Sequence, residues 1–228
     1  MILEKKEKFL QLKVNYNNKV KIALIDYGSG NLQSAYKALQ LAASYNKKNK
    51  IFITSKSKDL LKADKIVLPG VGSFSDCMKG LKSISGMITI LNEEVLEKKK
   101  PFLGICVGMQ LLATEGKEKG NHKGLNWIQG KVIKLKKKKK IKIPHMGWNT
   151  VKVISKHEIL KEKKFETYFV HSYNFICNNK ANILATCDYQ QKITAIVGKE
   201  NIVGTQFHPE KSQKNGLEIL KNFIKWNY

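Results

Sequence analysis

Short, continuous apolar runs that stop at glycine- or proline-bearing turns constrain this chain more than any other feature. KIALIDY (21–27) runs into Gly-Ser-Gly-Asn, IFIT (51–54) follows, KIVLPG (65–70) stops at Pro-Gly, and PFLGI (101–105) stops at Cys106. Runs without alternation are strands buried on both faces. Helical patterns lie between them at 31–43, 75–82 and 87–99, with another following at 107–113. Such alternation predicts an α/β fold with a parallel sheet covered by helices.

The texture changes after Gly120. KVIKL (131–135), WNTVKVI (148–154), TYFV (167–170), ILATC (183–187), ITAIV (193–197) and IVGTQF (202–207) have few helical stretches between them. This second half is strand-rich, mixed or partly antiparallel, and closes with a helix over 213–226. KKKKK (136–140) reads as a solvated loop. No repeat, linker or internal boundary is visible. The expected organisation is one domain over 20–228 after a lysine-rich arm at 1–19.

With 228 residues, 42% of them hydrophobic, the chain can bury one sizeable core. No apolar run reaches the roughly 18 residues of a membrane span. Residues 1–19 lack the apolar stretch and cleavage site of a signal peptide, so a cytoplasmic location is expected. The four cysteines, Cys77, Cys106, Cys177 and Cys187, show neither a C-x-x-C pair nor zinc-site spacing. The net charge of +24 raises the question of a nucleic-acid partner. All 42 basic residues are Lys, however, and they are scattered through nearly every polar segment. Arg, the residue best suited to bidentate base and phosphate contacts, is absent. A lysine-biased composition explains the charge more simply than a nucleic-acid or membrane-binding face.

Three strand ends carry residues with chemistry. Gly104-Ile105-Cys106-Val107-Gly108 is a nucleophile-elbow pattern with Cys in place of Ser, small neighbours permitting a sharp turn before a helix. A helix N-terminus favours the thiolate. Taken alone, the pattern fits a buried structural Cys equally well. Gln206-Phe207-His208-Pro209-Glu210 supplies a base in His208 and an orienting carboxylate in Glu210, although a lone H-P-E can be a surface turn. Pro69-Gly70-Val71-Gly72-Ser73-Phe74 can turn backbone N–H groups toward an oxyanion, although Pro-Gly is also common punctuation. The conjunction at the ends of strands is far more specific than its parts. Gly28-Ser29-Gly30 lacks the third Gly and ribose-binding acid of a dinucleotide loop. His145 and His171 read as packing or interface residues, His122 and His157 as solvated, and Cys77, Cys177 and Cys187 as core thiols.

DYGSGN (26–31), LPGVGSF (68–74), PFLGICVGMQLL (101–112), PHMGWN (144–149), YFVHSY (168–173) and GTQFHPEKS (204–212) together resemble the class I, or triad, glutamine amidotransferases from about Lys21 onward. Within that family DYGSGN, PHMGWN and YFVHSY are similar to glutaminase subunits that serve a histidine-biosynthesis synthase, whereas the Cys elbow and HPE mark the family as a whole. The resemblance implies a flavodoxin-like three-layer fold with a mostly parallel central sheet. It implies a Cys106, His208 and Glu210 triad that hydrolyses L-glutamine and passes ammonia to a separate (β/α)₈-barrel partner in a heterodimer. No metal or organic cofactor is implied. Gln110 and Glu118 would hold the glutamine head group, and the backbone of Gly70, Val71, Gly72, Ser172 and Tyr173 its carboxylate or the oxyanion. Asn31, Met146, Trp148 and Tyr168 would lie at the ammonia exit or partner interface. The isolated chain would be slow until the partner binds. A paralogue feeding a surface-sugar amidotransferase and a stand-alone γ-glutamyl hydrolase are the competing readings.

Overall fold

The structure, a computed structural model, describes residues 19–137 and 142–228. The expected arm therefore lies outside the described residues except for Lys19, as do Lys138, Lys139 and Lys140 of the lysine loop.

Strand β1 (Lys21–Ile25) leads through the Gly-Ser-Gly turn to helix α1 (Leu32–Ala43), followed by β2 (Lys50–Thr54) and β3 (Lys65–Leu68). Helices α2 (Phe74–Ser83) and α3 (Met87–Leu91) precede β4 (Phe102–Ile105) and a one-turn helix α4 (Val107–Gln110). Then come β5 (Glu115–Gly116), β6 (His122–Lys123), β7 (Gly130–Lys134), β8 (His145–Val153) and β9 (Lys164–His171). The chain finishes with β10 (Tyr173–Cys177), β11 (Ile183–Asp188), β12 (Lys192–Lys199), β13 (Ile202–Thr205) and helix α5 (Gln213–Lys225).

Among the described residues, nine strands form the main sheet in the order β2-β1-β3-β4-β13-β12-β11-β8-β9. Pairings from β2 to β13 are parallel and those from β13 to β9 antiparallel. Strands β3, β4 and β13 are buried along their whole length, Lys65 and Thr205 included. Helix α1 packs beside α5, and α2 beside α4. Ser73 caps α2 by accepting from the Asp76 N–H at 3.1 Å. A second sheet, β10-β7-β5-β6, stands apart from the first.

Three elements depart from the sequence reading. The helix expected over 107–113 stops at Gln110, because the Leu111 and Leu112 carbonyls accept from the backbone of Leu125, Trp127 and Ile128. The helix expected over 87–99 becomes a π-turn at Asn92–Glu97, inside which Glu94 is buried against Lys98 and Lys100. The strand expected at 167–170 continues to His171, turns at Ser172, and resumes as β10 in the other sheet. That corner forms one wall of the site.

Candidate active site

Cys106 directly follows β4 with φ 55° and ψ −109°, a strained conformation for a residue with a side chain. The flanking glycines make the turn possible. A Cβ on Gly104 would lie 2.6 Å from the Gly108 carbonyl oxygen, and one on Gly108 only 2.0 Å from that of Leu68. The Cys106 N–H donates to Thr205 O at 2.7 Å, so adjacent strand ends hold the elbow. With α4 only one turn long, the helix dipole expected to favour a thiolate is weak, and the charge support must come from elsewhere.

That support is His208. Its Nδ1 lies 2.7 Å from Glu210 Oε1, with both side chains buried. Its Nε2 is buried and has no hydrogen-bond partner among the described residues, in a ring that shares a cavity wall with Cys106. Burial opposes a charged imidazole, but the Cys106 thiolate and the Glu210 carboxylate outweigh it and raise His208 to about 10. Backbone bonds hold the base in place: the His208 N–H donates to Tyr168 O at 3.0 Å, and Ser212 Oγ donates to His208 O at 2.6 Å. The Asn31 carboxamide, expected at the interface, donates to Glu210 Oε1 and lies 3.4 Å from His208 Nδ1.

The cavity, about 460 Å³, is lined by Cys106, His208, Gln110, Glu118, Ser172 and Tyr173, and by Val71 and Gly72. Glu118 is fixed by the Phe74 N–H, which donates to its Oε2 at 2.8 Å, while His122 Nε2 lies 3.0 Å from its carbonyl oxygen. His122 is thus partly enclosed rather than solvated. So is His157, whose ring packs edge-on against Trp226. Gln110 Nε2 donates to Gln206 Oε1 at 3.0 Å and to Tyr173 O at 3.4 Å. Gln206 Nε2 in turn lies 3.8 Å from Cys106 Sγ. Gln206 stood inside the motif text, but nothing in the sequence assigned it this bridging place. Lys134, opposite Tyr173 in the β7–β10 register, also lines the cavity and carried no sequence signal.

Gly70 does not reach the cavity. It is packed behind it, where an added Cβ would meet Gly108 N at 2.6 Å. The Val71 N–H donates to Ser29 Oγ at 3.1 Å, and Gly70 O accepts from the Val107 N–H at 3.2 Å. One peptide plane therefore engages both Ser29 and the Val107 N–H. Cys77 is buried beside this loop, its Sγ 3.4 Å from Val71 O, while Cys177 and Cys187 are buried thiols pushed by burial to about 12. On β8, Met146 and Trp148 are exposed, at 60% and 48%, and Trp148 meets Tyr168 edge-on. Among the described residues no helix is long and apolar enough to cross a membrane.

An elbow cysteine and an H-P-E base at neighbouring strand ends define the class, and the comparisons with known proteins agree: the chain belongs to the class-I glutamine amidotransferases, whose family model matches residues 23–226. Among curated relatives, the "Imidazole glycerol phosphate synthase subunit HisH" of Rhodopseudomonas palustris is 49% identical over 212 residues, covering 90% of this chain and 98% of that protein. The protein of the same name from Zymomonas mobilis is 50% identical over 208 residues, covering 90% and 96%. Solved structures share the fold at lower identity. One glutamine amidotransferase matches with TM-score 0.67 and 15% identity over 89% of this chain and 98% of its own. Another, from Thermotoga maritima, matches with TM-score 0.58 and 20% identity over 85% and 77%.

Proposed function

We propose that this chain is the glutaminase subunit of an imidazole glycerol phosphate synthase, residues 20–228 forming its catalytic domain. The observation that carries the reading is the strained Cys106 thiol in one cavity with His208, whose Nδ1 is held by Glu210 at 2.7 Å. Near-50% identity to HisH subunits over almost their full length supports the choice of branch.

The Cys106 thiolate adds to the side-chain amide carbon of glutamine, and the imidazolium of His208 gives its proton to the departing nitrogen. Ammonia leaves, and a γ-glutamyl thioester remains. Neutral His208 then takes a proton from water, whose oxygen displaces the thiolate as glutamate. Glu210 keeps the His208 proton-carrying Nδ1 toward itself and Nε2 toward the reaction. Gln110 and Glu118 hold the head group. The backbone of Ser172 and Tyr173 meets the carboxylate, and that of Val71 and Gly72 the oxyanion.

Ammonia passes to a (β/α)₈-barrel synthase docked on the face that carries Met146, Trp148, Tyr168 and Asn31. The setting is the cytoplasm and the product serves histidine biosynthesis. In the complex, Cys106→Ala should abolish glutamine-dependent synthesis and leave synthesis from added ammonium salt intact. Loss of both activities would make Cys106 structural, and a full glutaminase rate without any partner would favour a stand-alone γ-glutamyl hydrolase.

A further inference from the structure

One wall of the cavity is the corner where β9 ends at His171 and β10 begins at Tyr173, with His171 in that wall and the buried His145 behind it. His171 Nδ1 lies 2.8 Å from Tyr173 O, and His171 Nε2 lies 2.9 Å from His145 Nδ1. His145 Nε2 lies 3.2 Å from Asn149 Nδ2, which also donates to Asp188 O at 2.9 Å. The His145 ring is stacked between Tyr189 and Phe169, with centroids 4.0 and 4.7 Å away.

The chemistry of these atoms forces a direction on the chain. A carbonyl only accepts, so His171 must carry its proton on Nδ1, which leaves Nε2 of the neutral ring as an acceptor. His145 must then donate from Nδ1, and its own Nε2 accepts from the Asn149 amide. Burial holds both rings uncharged, His145 near 4 and His171 near 3, the bond to Tyr173 O being too weak to offset it. The chain ends on the Tyr173 carbonyl. The same oxygen receives Gln110 Nε2 at 3.4 Å, and Gln110 continues through Gln206 to Cys106.

We propose that His145 and His171 are positioning residues for glutamine, a pair of uncharged imidazoles of fixed tautomer that locks the Ser172 corner and sets the Tyr173 carbonyl and the Gln110 carboxamide. The proposal rests on the glutaminase reading. Packing alone would not require it, since two phenyl rings fill similar space but donate nothing to Tyr173 O. The wall touches glutamine before and during reaction alike, so loosening it raises KM and leaves kcat nearly unchanged.

The test is glutaminase kinetics of the complex with its synthase, comparing His171→Phe with His171→Asn. The Phe variant removes both bonds, whereas Asn keeps a donor at the δ position for Tyr173 O. His171→Phe should raise KM at least tenfold with kcat within threefold, and His171→Asn should recover most of the loss. L-glutamine binding to the same variants on a Cys106→Ala background, measured by calorimetry, should follow the same order. A folded His171→Phe with wild-type KM, or with reduced kcat alone, would overturn the proposal. Should His171→Phe not fold, ¹⁵N imidazole spectra of the wild-type chain decide. Both rings should stay neutral with the proton on Nδ1 from pH 5 to 9, and an Nε2–H tautomer in either ring refutes the relay. A wild-type complex that releases no ammonia from glutamine would instead refute the glutaminase reading, leaving the spectra to judge the imidazole pair.

Discussion

Replacing Ser29 by Ala should make the isolated chain a faster glutaminase. The Gly70–Val71 peptide presents its N–H to Ser29 Oγ at 3.1 Å and its C=O to the Val107 N–H at 3.2 Å. Because both groups belong to one peptide plane, a single rotation would free the Val107 N–H and aim that of Val71 into the cavity. One missing oxyanion donor costs roughly 10²–10³ in turnover, so the chain in this state should be slow. A neutral hydrogen bond contributes about 1 kcal/mol net. Deleting the Ser29 acceptor should therefore raise the share of turned peptide, and the basal rate, roughly fivefold, at about tenfold per 1.4 kcal/mol. The synthase-bound enzyme, already turned, should change by less than about twofold, so the stimulation ratio falls. The assay is ammonia release by the purified chain, then with synthase, then with synthase and an acceptor analogue. A Ser29→Ala basal rate at or below wild type, with undiminished stimulation, would refute the idea that this bond restrains the oxyanion loop.

Three further perturbations have defined outcomes. Glu210→Gln should fold normally yet lose about 10- to 100-fold in glutaminase kcat, the size of one charge-assisted hydrogen bond, a milder loss than for Cys106→Ala or His208→Ala; near-wild-type turnover would remove Glu210 as the orienter. Replacing two or three lysines of 136–140 by Gln should alter retention on anionic resins without a tenfold change in turnover; a larger drop would place that loop at the site or interface. His145 and His171, near 4 and 3 when folded and about 6.5 unfolded, stabilise the fold relative to acid only above about pH 6.5, and that stability is lost as pH falls toward 3. His208, raised to about 10, works in the opposite sense, its contribution being complete only below about pH 6.5. Between pH 7 and 5 the two depressed rings prevail, a net loss of about 3 kcal/mol that urea denaturation at the two pH values would read; a pH-independent midpoint would contradict the buried neutral pair.

The parallel half of the sheet was legible because β1, β3, β4 and β13 are buried almost throughout and appear as near-continuous apolar runs. Of the second sheet only β7 was, as KVIKL (131–135). Strand β10 contains Asn174, a polar residue that reads as loop but is buried because its Oδ1 accepts the Thr194 N–H at 3.0 Å. Strands β5 and β6 are two residues each, too short to show any period. Within the site, Cys106, His208 and Glu210 were visible because the chemistry needs those types beside strand ends. Glu118 came only through family resemblance, since TEGKEKG offers two acids and no spacing rule to choose between them. Ser29 and Val71 are 42 residues apart, and their bond depends on how two turns face each other, which no local pattern encodes.

The histidines mark where sequence reasoning ends for a physical reason. His171 and His208 both stand in the wall of one cavity, yet one is driven down to about 3 and the other up to about 10. Burial pushes both the same way. The difference is the partner at Nδ1: a carbonyl oxygen at 2.8 Å for His171, a carboxylate at 2.7 Å for His208, with the Cys106 thiolate adding its charge to the latter. A carbonyl fixes a tautomer without stabilising a full positive charge, whereas a carboxylate does both. In the proposed reaction one ring supplies geometry and the other a transferable proton. Exchanging the partners, rather than the histidines, is what would exchange the roles. Glu210→Gln probes this directly, because an amide oxygen at that position should leave His208 oriented yet lower the pH above which it can no longer protonate the departing ammonia. An alkaline limb of the kcat profile unmoved by that substitution would mean that the Cys106 thiolate alone sustains the imidazolium.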